Sequence, residues 1–580
     1  MRASSVRDTP AVRPPAAPER NPRNNGSART GTAAWAACFP FGPARTCAAP
    51  ASPRNARLSP PSAAPADSAR RAARAGMHAQ ESPAAAAGTS GSRNLVADLQ
   101  AELSQRWPAR FCHVDDSALV LDTVPSSEDR QKRLIHLTIE SADRLAIMTS
   151  FSIHPTKDHE PGHVSGTTFA MMEALARRQH DPDFTFVLLY NDNKLQRNAA
   201  IAAVVGQNVT ANMSLRNESR VPGTITWPSV VRAYNAMQAD DGLKIGTLRA
   251  RVYFVAAKAR GAAGSHHNKF CINDRGVAAT LGASIANKTK DGWMDGGCIA
   301  LSARLAGSQR DYFLDELMGE HAVRCARLVC QDGLAVMAPV EQPAAALGTL
   351  RDIAVRSPFD PGTGEAGQHP MHAALARAGI AFTGNRQKVL WLQNPSNGYR
   401  NMFSEGGRIE GKPIGFALAK IFASTGPGDT LDIAGKKLGT EAFGLIGEAL
   451  ARGCNVNILV DRSSRGLVDF AARRLYGDKA KPPAGHLTVK HYAPGESLAH
   501  ELQINLRSET VLHAKNYLLT RSDGSCIVMT GSYNLDGQSH YRSNENLMVF
   551  ETSDPTLRRA LFDDIYQGSD GEASHYPPKR

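Results

Sequence analysis

Two copies of one short pattern, His267-Asn268-Lys269 and His513-Ala514-Lys515, stand 246 positions apart, each at the start of an apolar run. On a β-strand, side chains at i and i+2 share a face, so each imidazole lies beside its ammonium. A neutral imidazole serves as nucleophile or base near pH 7. The adjacent lysine supplies positive charge where an anionic phosphate must sit. The lysine spacing selects His267 over its neighbour His266, which reads as structural. One such triplet says little, whereas two in the same local setting say much more.

Each copy continues through a turn and a second apolar run to a glycine, Gly282 or Gly531, where the backbone can approach another group closely. Ser284 and Asn287 follow the first glycine, Ser532 and Asn534 the second. Their hydroxyls and amides can hydrogen-bond phosphate oxygens. Further on stand two acids, Asp295 before Gly-Gly-Cys-Ile-Ala-Leu and Glu545 before Asn-Leu-Met-Val-Phe. A carboxylate beside a reacting imidazole fixes its tautomer and stabilises its protonated form.

The elements that must hold these groups repeat as well. In the first half, 143–151 and 184–190 read as apolar strands, with helical periodicity over 166–178 between them and a further strand at 248–255. In the second, 429–434 and 455–460 are strands flanking an amphipathic helix at 440–452, which Gly453 caps, and 487–492 follows as a strand. Strand–helix–strand units with short links predict parallel pairing through right-handed crossovers. The predicted division is 93–340 for the first lobe, 341–385 for a Pro/Gly/Ala-rich linker, 386–572 for the second lobe and 573–580 for a tail.

Residues 1–92 are rich in Ala, Pro, Arg, Ser and Gly without periodicity, a composition that does not pack. They read as a disordered tail, an organelle transit peptide, or upstream sequence preceding a start at Met77. This segment distorts the overall charge. Residues 1–76 hold 12 Arg, no Lys and three acids, so the net +12 of the whole chain leaves 55 basic against 52 acidic residues beyond them. A nearly neutral body argues against a broad phosphate-tracking surface for nucleic acid. The nine cysteines are scattered without a Cys-x-x-Cys, so neither a zinc site nor a disulfide framework is expected. No apolar run reaches the length of a membrane span, and no secretory signal begins at Met1 or Met77.

At the paired motifs the chain resembles the phospholipase D superfamily, whose signature is His-x-Lys-x4-Asp followed by a Gly-Ser-x-Asn box, twice in one chain or once in a homodimer. The span from His267 to Asp274 matches in full. The second copy has the His, the Lys, the box Gly531-Ser532-Tyr533-Asn534 and Glu545, but Thr520 stands at the aspartate position, with Asp523 three residues later. The first box departs too, with Asn287 two positions late. Asp274 sits in the turn Asn273-Asp274-Arg275-Gly276, so a plain turn role competes with a catalytic one.

The resemblance implies a two-lobed α/β fold, each lobe a mixed sheet flanked by helices, with the two motifs meeting at a pseudo-twofold interface. It implies that His267 attacks phosphorus to form a phosphohistidine and that His513 is the acid and base. Lys269, Asp274, Lys515, Asp295 and Glu545 complete the catalytic set, and Ser284, Asn287, Ser532 and Asn534 bind phosphate. No metal and no cofactor are implied. The expected substrate is a glycerophospholipid at a membrane surface, with headgroup hydrolysis or transfer as the reaction. A nuclease of the same superfamily, or a non-catalytic phosphate- or lipid-binding member, are the alternatives. A monomer suffices for a complete site, and the protein is expected in the cytoplasm or exported by a signal-independent route.

Overall fold

The computed structural model describes residues 95–577 apart from 109–110, 124–127, 154–163, 192–211, 218–223, 239–241, 260–264, 285–292, 321, 359–369, 379, 381–385, 396–410, 478–481 and 502–510. Residues 1–92, read above as an unpacked segment, lie outside the described residues.

In the first half the strands are β1 (Phe111–Thr123), β2 (Leu145–Ser150), β3 (Thr185–Asn191), β4 (Asn212–Ser214), β5 (Thr224–Thr226), β6 (Arg251–Lys258), β7 (Ser265–His266), β8 (Phe270–Asn273), β9 (Val277–Leu281), β10 (Trp293–Met294), β11 (Gly297–Leu301), β12 (Ala322–Gln331) and β13 (Leu334–Val340). The second half adds β14 (Arg386–Asn394), β15 (Thr430–Gly435), β16 (Asn455–Val460), β17 (Leu487–His491), β18 (Val511–Leu512), β19 (Lys515–Thr520), β20 (Cys526–Gly531), β21 (Ser543–Thr552) and β22 (Ala573–Tyr576).

Their pairing is close to a palindrome. β2, β3 and β6 run parallel, and β2 continues antiparallel into β8, β9 and β11. In the second half β15, β16 and β17 run parallel, and β15 continues antiparallel into β19, β20 and β21. β1 and β14 join the two series at the centre. They pair antiparallel with each other, while β1 also pairs with β11 and β14 with β21. The mixed sheets of the two lobes are therefore one continuous sheet.

The local sequence explains the units. The Gly166–Arg178 helix starts at Ser165, whose side chain accepts the Thr168 N–H, and lies between β2 and β3 in the chain. The Thr440–Ala451 helix lies likewise between β15 and β16, without a side-chain cap at Gly439, and Gly453 takes φ +90° where the chain turns out of it. Side chains alternate across the sheet as strand geometry requires. Ala146 and Met148 enter the outer core of the first half, whereas Leu145 and Ile147 enter a layer shared with Leu512, Ala514, Leu518 and Val528 of the second. Tyr517, Leu519, Ile527 and Met529 face a third layer under the helices Pro413–Ala423 and Thr440–Ala451. Cys271, Cys298, Cys325, Cys454 and Cys526 are buried apolar residues. The stretch 341–385 carries short helices at Pro343–Gly348 and Pro370–Arg377. Among the described residues no helix is long and apolar enough to cross a membrane.

Candidate active site

The histidines are placed by two short parallel pairings that link the halves. β7 runs beside Ser543–Asn544, and β10 runs beside β18. The His267 amide donates to Asn544 O at 3.1 Å, and the His513 amide donates to Met294 O at 2.5 Å. The next residue along each partner strand is the acid. His267 Nδ1 accordingly lies 2.9 and 2.8 Å from the two carboxylate oxygens of Glu545. His513 Nδ1 lies 2.5 Å from Asp295 Oδ2. Each imidazole takes its carboxylate from the other half of the chain, which the local spacing of the motifs does not specify. With Nδ1 engaged, Nε2 is the nitrogen left for chemistry.

Both lysines are fully buried. Lys269 Nζ donates to its own motif's His267 O at 2.8 Å and lies 5.4 Å from the centre of the Phe151 ring, whose edge packs on His267. Lys515 Nζ sits 2.7 Å from His513 Nδ1 and 3.6 Å from Asp295 Oδ1, and also donates to His513 O. Burial, then the charge of Lys515, then those of Lys436 and Lys269, hold His513 well below the usual imidazole pKa. Burial raises Asp295 and lowers Lys515. Burial pushes Glu545 up to about 7 against the opposing pull of Lys269. His513 also feels His267, so the two motifs share one electrostatic centre. His266 is fully buried, and desolvation drives its pKa to about 3, as a structural histidine.

The glycines let the halves close. A Cβ on Gly282 would stand 2.3 Å from Asp295 Oδ1 and 3.2 Å from Gly531 O, so the two box glycines abut across the interface. The residues after them do less than expected. Ser532 is fully buried, and its hydroxyl donates to Glu545 Oε2 at 2.5 Å, which makes it a support for the carboxylate. Asn534 Nδ2 is 3.5 Å from Ser539 Oγ, and its buried Oδ1 has no hydrogen-bond partner among the described residues. Ser284 is partly exposed beside the first box. Asn287 lies outside the described residues.

Asp274 is not brought to the histidines. It follows β8, whose four residues separate it from Lys269 by roughly 16 Å at strand rise. Its oxygens accept the backbone amides of Asp143 and Arg144 at 2.9 and 2.8 Å, closing the entry to β2. The second half performs the same closure from the opposite strand. Asp429, just before β15, accepts the Ser522 amide at 3.0 Å and the Arg521 guanidinium at 3.0 Å beyond the end of β19. Thr520, paired with Thr430, thus stands where no carboxylate is needed.

Three site residues escape the motif reading. Lys436 follows β15 directly, and burial with the Lys515 charge lowers it to about 8. Lys412 is buried, donates to Pro395 O at 3.1 Å and is lowered to about 8 by desolvation, which Glu545 opposes. Asp461, after β16, accepts the Leu512 amide at 2.9 Å and so fixes the strand entering His513. Only Lys436 carries a sequence signal, its position after a strand-ending glycine. Among the described residues no three His, Cys, Asp or Glu side chains gather as a metal site.

Residues 428–561, which hold the second motif, its box and Glu545, match the family model described as cardiolipin synthase, PLD-like domain. No curated protein matches the chain. Among solved structures it is similar to phosphatidylserine synthase from Haemophilus influenzae Rd KW20, with 14% identity, 83% of this chain and 92% of that one covered, and a TM-score of 0.47. Nuc from Salmonella typhimurium, a phospholipase D family member, is 13% identical over 32% of this chain and 99% of its own, with a TM-score of 0.21. Polyphosphate kinase from Porphyromonas gingivalis is 11% identical over 76% and 45%, with a TM-score of 0.33.

Proposed function

We propose that the chain, whose residues 428–561 match a phospholipase D-like domain model, is a member of the phospholipase D superfamily that hydrolyses or transfers the headgroup of a glycerophospholipid through a phosphohistidine. The observation that carries the reading is the crossed pair of imidazoles, each with a carboxylate at Nδ1 and a lysine beside it.

His267 Nε2 attacks phosphorus as the P–O bond to the leaving alcohol breaks, and His513 gives that oxygen its proton. Water or an acceptor alcohol then loses a proton to His513 and attacks phosphorus, and the P–N bond breaks to free His267. Lys269 and Lys515 meet the charge of the phosphoryl oxygens in a buried setting where such pairing is strongest. Glu545 and Asp295 keep the imidazoles in the tautomer that presents Nε2. An uncharged His513 suits the empty site, and a bound phosphate offsets the lysine charges and lets His513 take up the proton it later donates.

The test is to incubate the protein with phosphatidylcholine vesicles and ethanol in excess chelator, beside His513→Ala. Choline and phosphatidylethanol from the wild type alone support the reading, and choline without phosphatidylethanol assigns it to hydrolysis. No product from phosphatidylcholine or any other phospholipid, with turnover of oligonucleotides instead, overturns it.

A further inference from the structure

The helix Arg465–Leu475 turns part of its apolar surface outward. Val468 and Ala472 face the core, yet Leu467 is 46% and Phe470 is 65% exposed. Three positions apart, they share one side of the helix. Arg473 and Arg474, both exposed, stand one turn beyond Phe470, and exposed Arg462 precedes the helix. These three arginines make no ion pair among the described residues. Arg465 is different, held by Asp469 at 3.6 Å and Glu572 at 3.2 Å. Asp469 is largely covered, and Asp461 is buried with its oxygens on backbone amides.

The helix also lies near the strand that leads to His513. Its start and the strand leading to His513 line one cavity of about 680 Å³, through Arg462, Arg465, His491, Tyr492 and Val511. Exposed large apolar side chains rimmed by unpaired arginines, on a helix that shares a cavity with the strand leading to His513, match the chemistry of a lipid surface. The apolar pair suits the acyl boundary, and guanidinium groups suit lipid phosphates. A nucleic-acid strand would match the arginines but leave Leu467 without a counterpart.

We propose that this helix docks the protein on an anionic phospholipid membrane, with Leu467 and Phe470 entering the interface and Arg462, Arg473 and Arg474 lying against headgroup phosphates. The assignment of a membrane rather than another polyanion rests on the lipid-directed reading of the site.

The test is sedimentation of the full chain with vesicles of phosphatidylcholine alone and of phosphatidylcholine with phosphatidylglycerol. Two double variants accompany it, Leu467→Ser with Phe470→Ser, and Arg473→Gln with Arg474→Gln. Turnover of a monomeric short-chain phospholipid reports folding and the chemical site. The apolar variant should bind both vesicles roughly tenfold or more weakly. The arginine variant should bind the anionic vesicles about 25-fold more weakly, near fivefold per charge, with a weaker salt dependence than wild type shows. Both should keep monomer turnover. Wild type that stays in the supernatant, or variants that bind as wild type does, would overturn the proposal. So would a dimer that the apolar variant dissociates while vesicle binding persists, or oligonucleotide binding that alone depends on the arginines. Helix-dependent vesicle binding without phospholipid turnover would keep the surface and remove the catalytic reading.

Discussion

Glu545 grips His267 from 278 positions further along the chain, with both carboxylate oxygens within 2.9 Å of Nδ1. The acid is fully buried and takes a hydrogen bond from Ser532. Its pKa near 7 has two consequences of opposite sign. Activity should fall as pH drops through about 7, because the protonated acid no longer accepts Nδ1–H. Stability should fall as pH rises from about 4.5 to about 7, because over that window the folded state holds a proton that the unfolded state has released. Glu545→Gln should therefore lose about 100-fold or more in kcat. It should also melt higher than wild type at pH 8, by a margin that shrinks at pH 5. Turnover and thermal unfolding at the two pH values check both.

Burial, and then the charges of Lys515, Lys436 and Lys269, hold His513 well below the usual imidazole pKa. Binding of phosphate or vanadate near pH 7 should draw in close to one proton per site. Calorimetry in buffers of different ionisation enthalpy measures it. His513→Ala should abolish the uptake and lower kcat by about 10³-fold, and binding without proton exchange in the wild type would count against the acid role of His513.

Asp274 and Asp429 are matched clamps, one after β8 and the other before β15. Asp274→Asn and Asp429→Asn should each cost about 1–3 kcal/mol of stability by weakening part-buried hydrogen bonds to backbone amides. The measure is denaturant unfolding set against kcat, which should stay within about threefold since neither acid touches a histidine. Thr520→Asp should bring no gain in rate.

Gly282→Ala puts a methyl group 2.3 Å from Asp295 Oδ1 and against the Gly531 carbonyl. Overpacking of this kind costs about 1–3 kcal/mol. Because the displaced carboxylate holds His513 through its other oxygen, Oδ2, kcat should fall by about tenfold or more with a shifted pH profile, where a merely structural defect would lower stability alone.

The candidate site groups were legible because imidazole, ammonium and carboxylate at strand spacing stand out from apolar runs. The helix predicted over 166–178 and the strand over 455–460 match the structure, since periodicity and caps act locally. Legibility stopped at long range. That Glu545 serves His267 and Asp295 serves His513 depends on the β7 and β10 pairings, whose partners lie over 200 positions away. Lys412 joins the site through burial near Glu545 and has no motif to announce it. Ser532 carries the right residue type for phosphate, yet the nearer demand of a buried carboxylate claims its hydroxyl.

The antiparallel seam between β1 and β14 binds the halves through main-chain hydrogen bonds over registers from Phe111–Leu392 to Leu119–Arg386. Jaws joined in this way cannot swing apart, so ligand entry must rely on local loop movement. Melting should record a single cooperative transition. Either half produced alone would present a raw strand edge, β1 on one side or β14 on the other, and the expected fate of such a fragment is precipitation by edge-to-edge pairing.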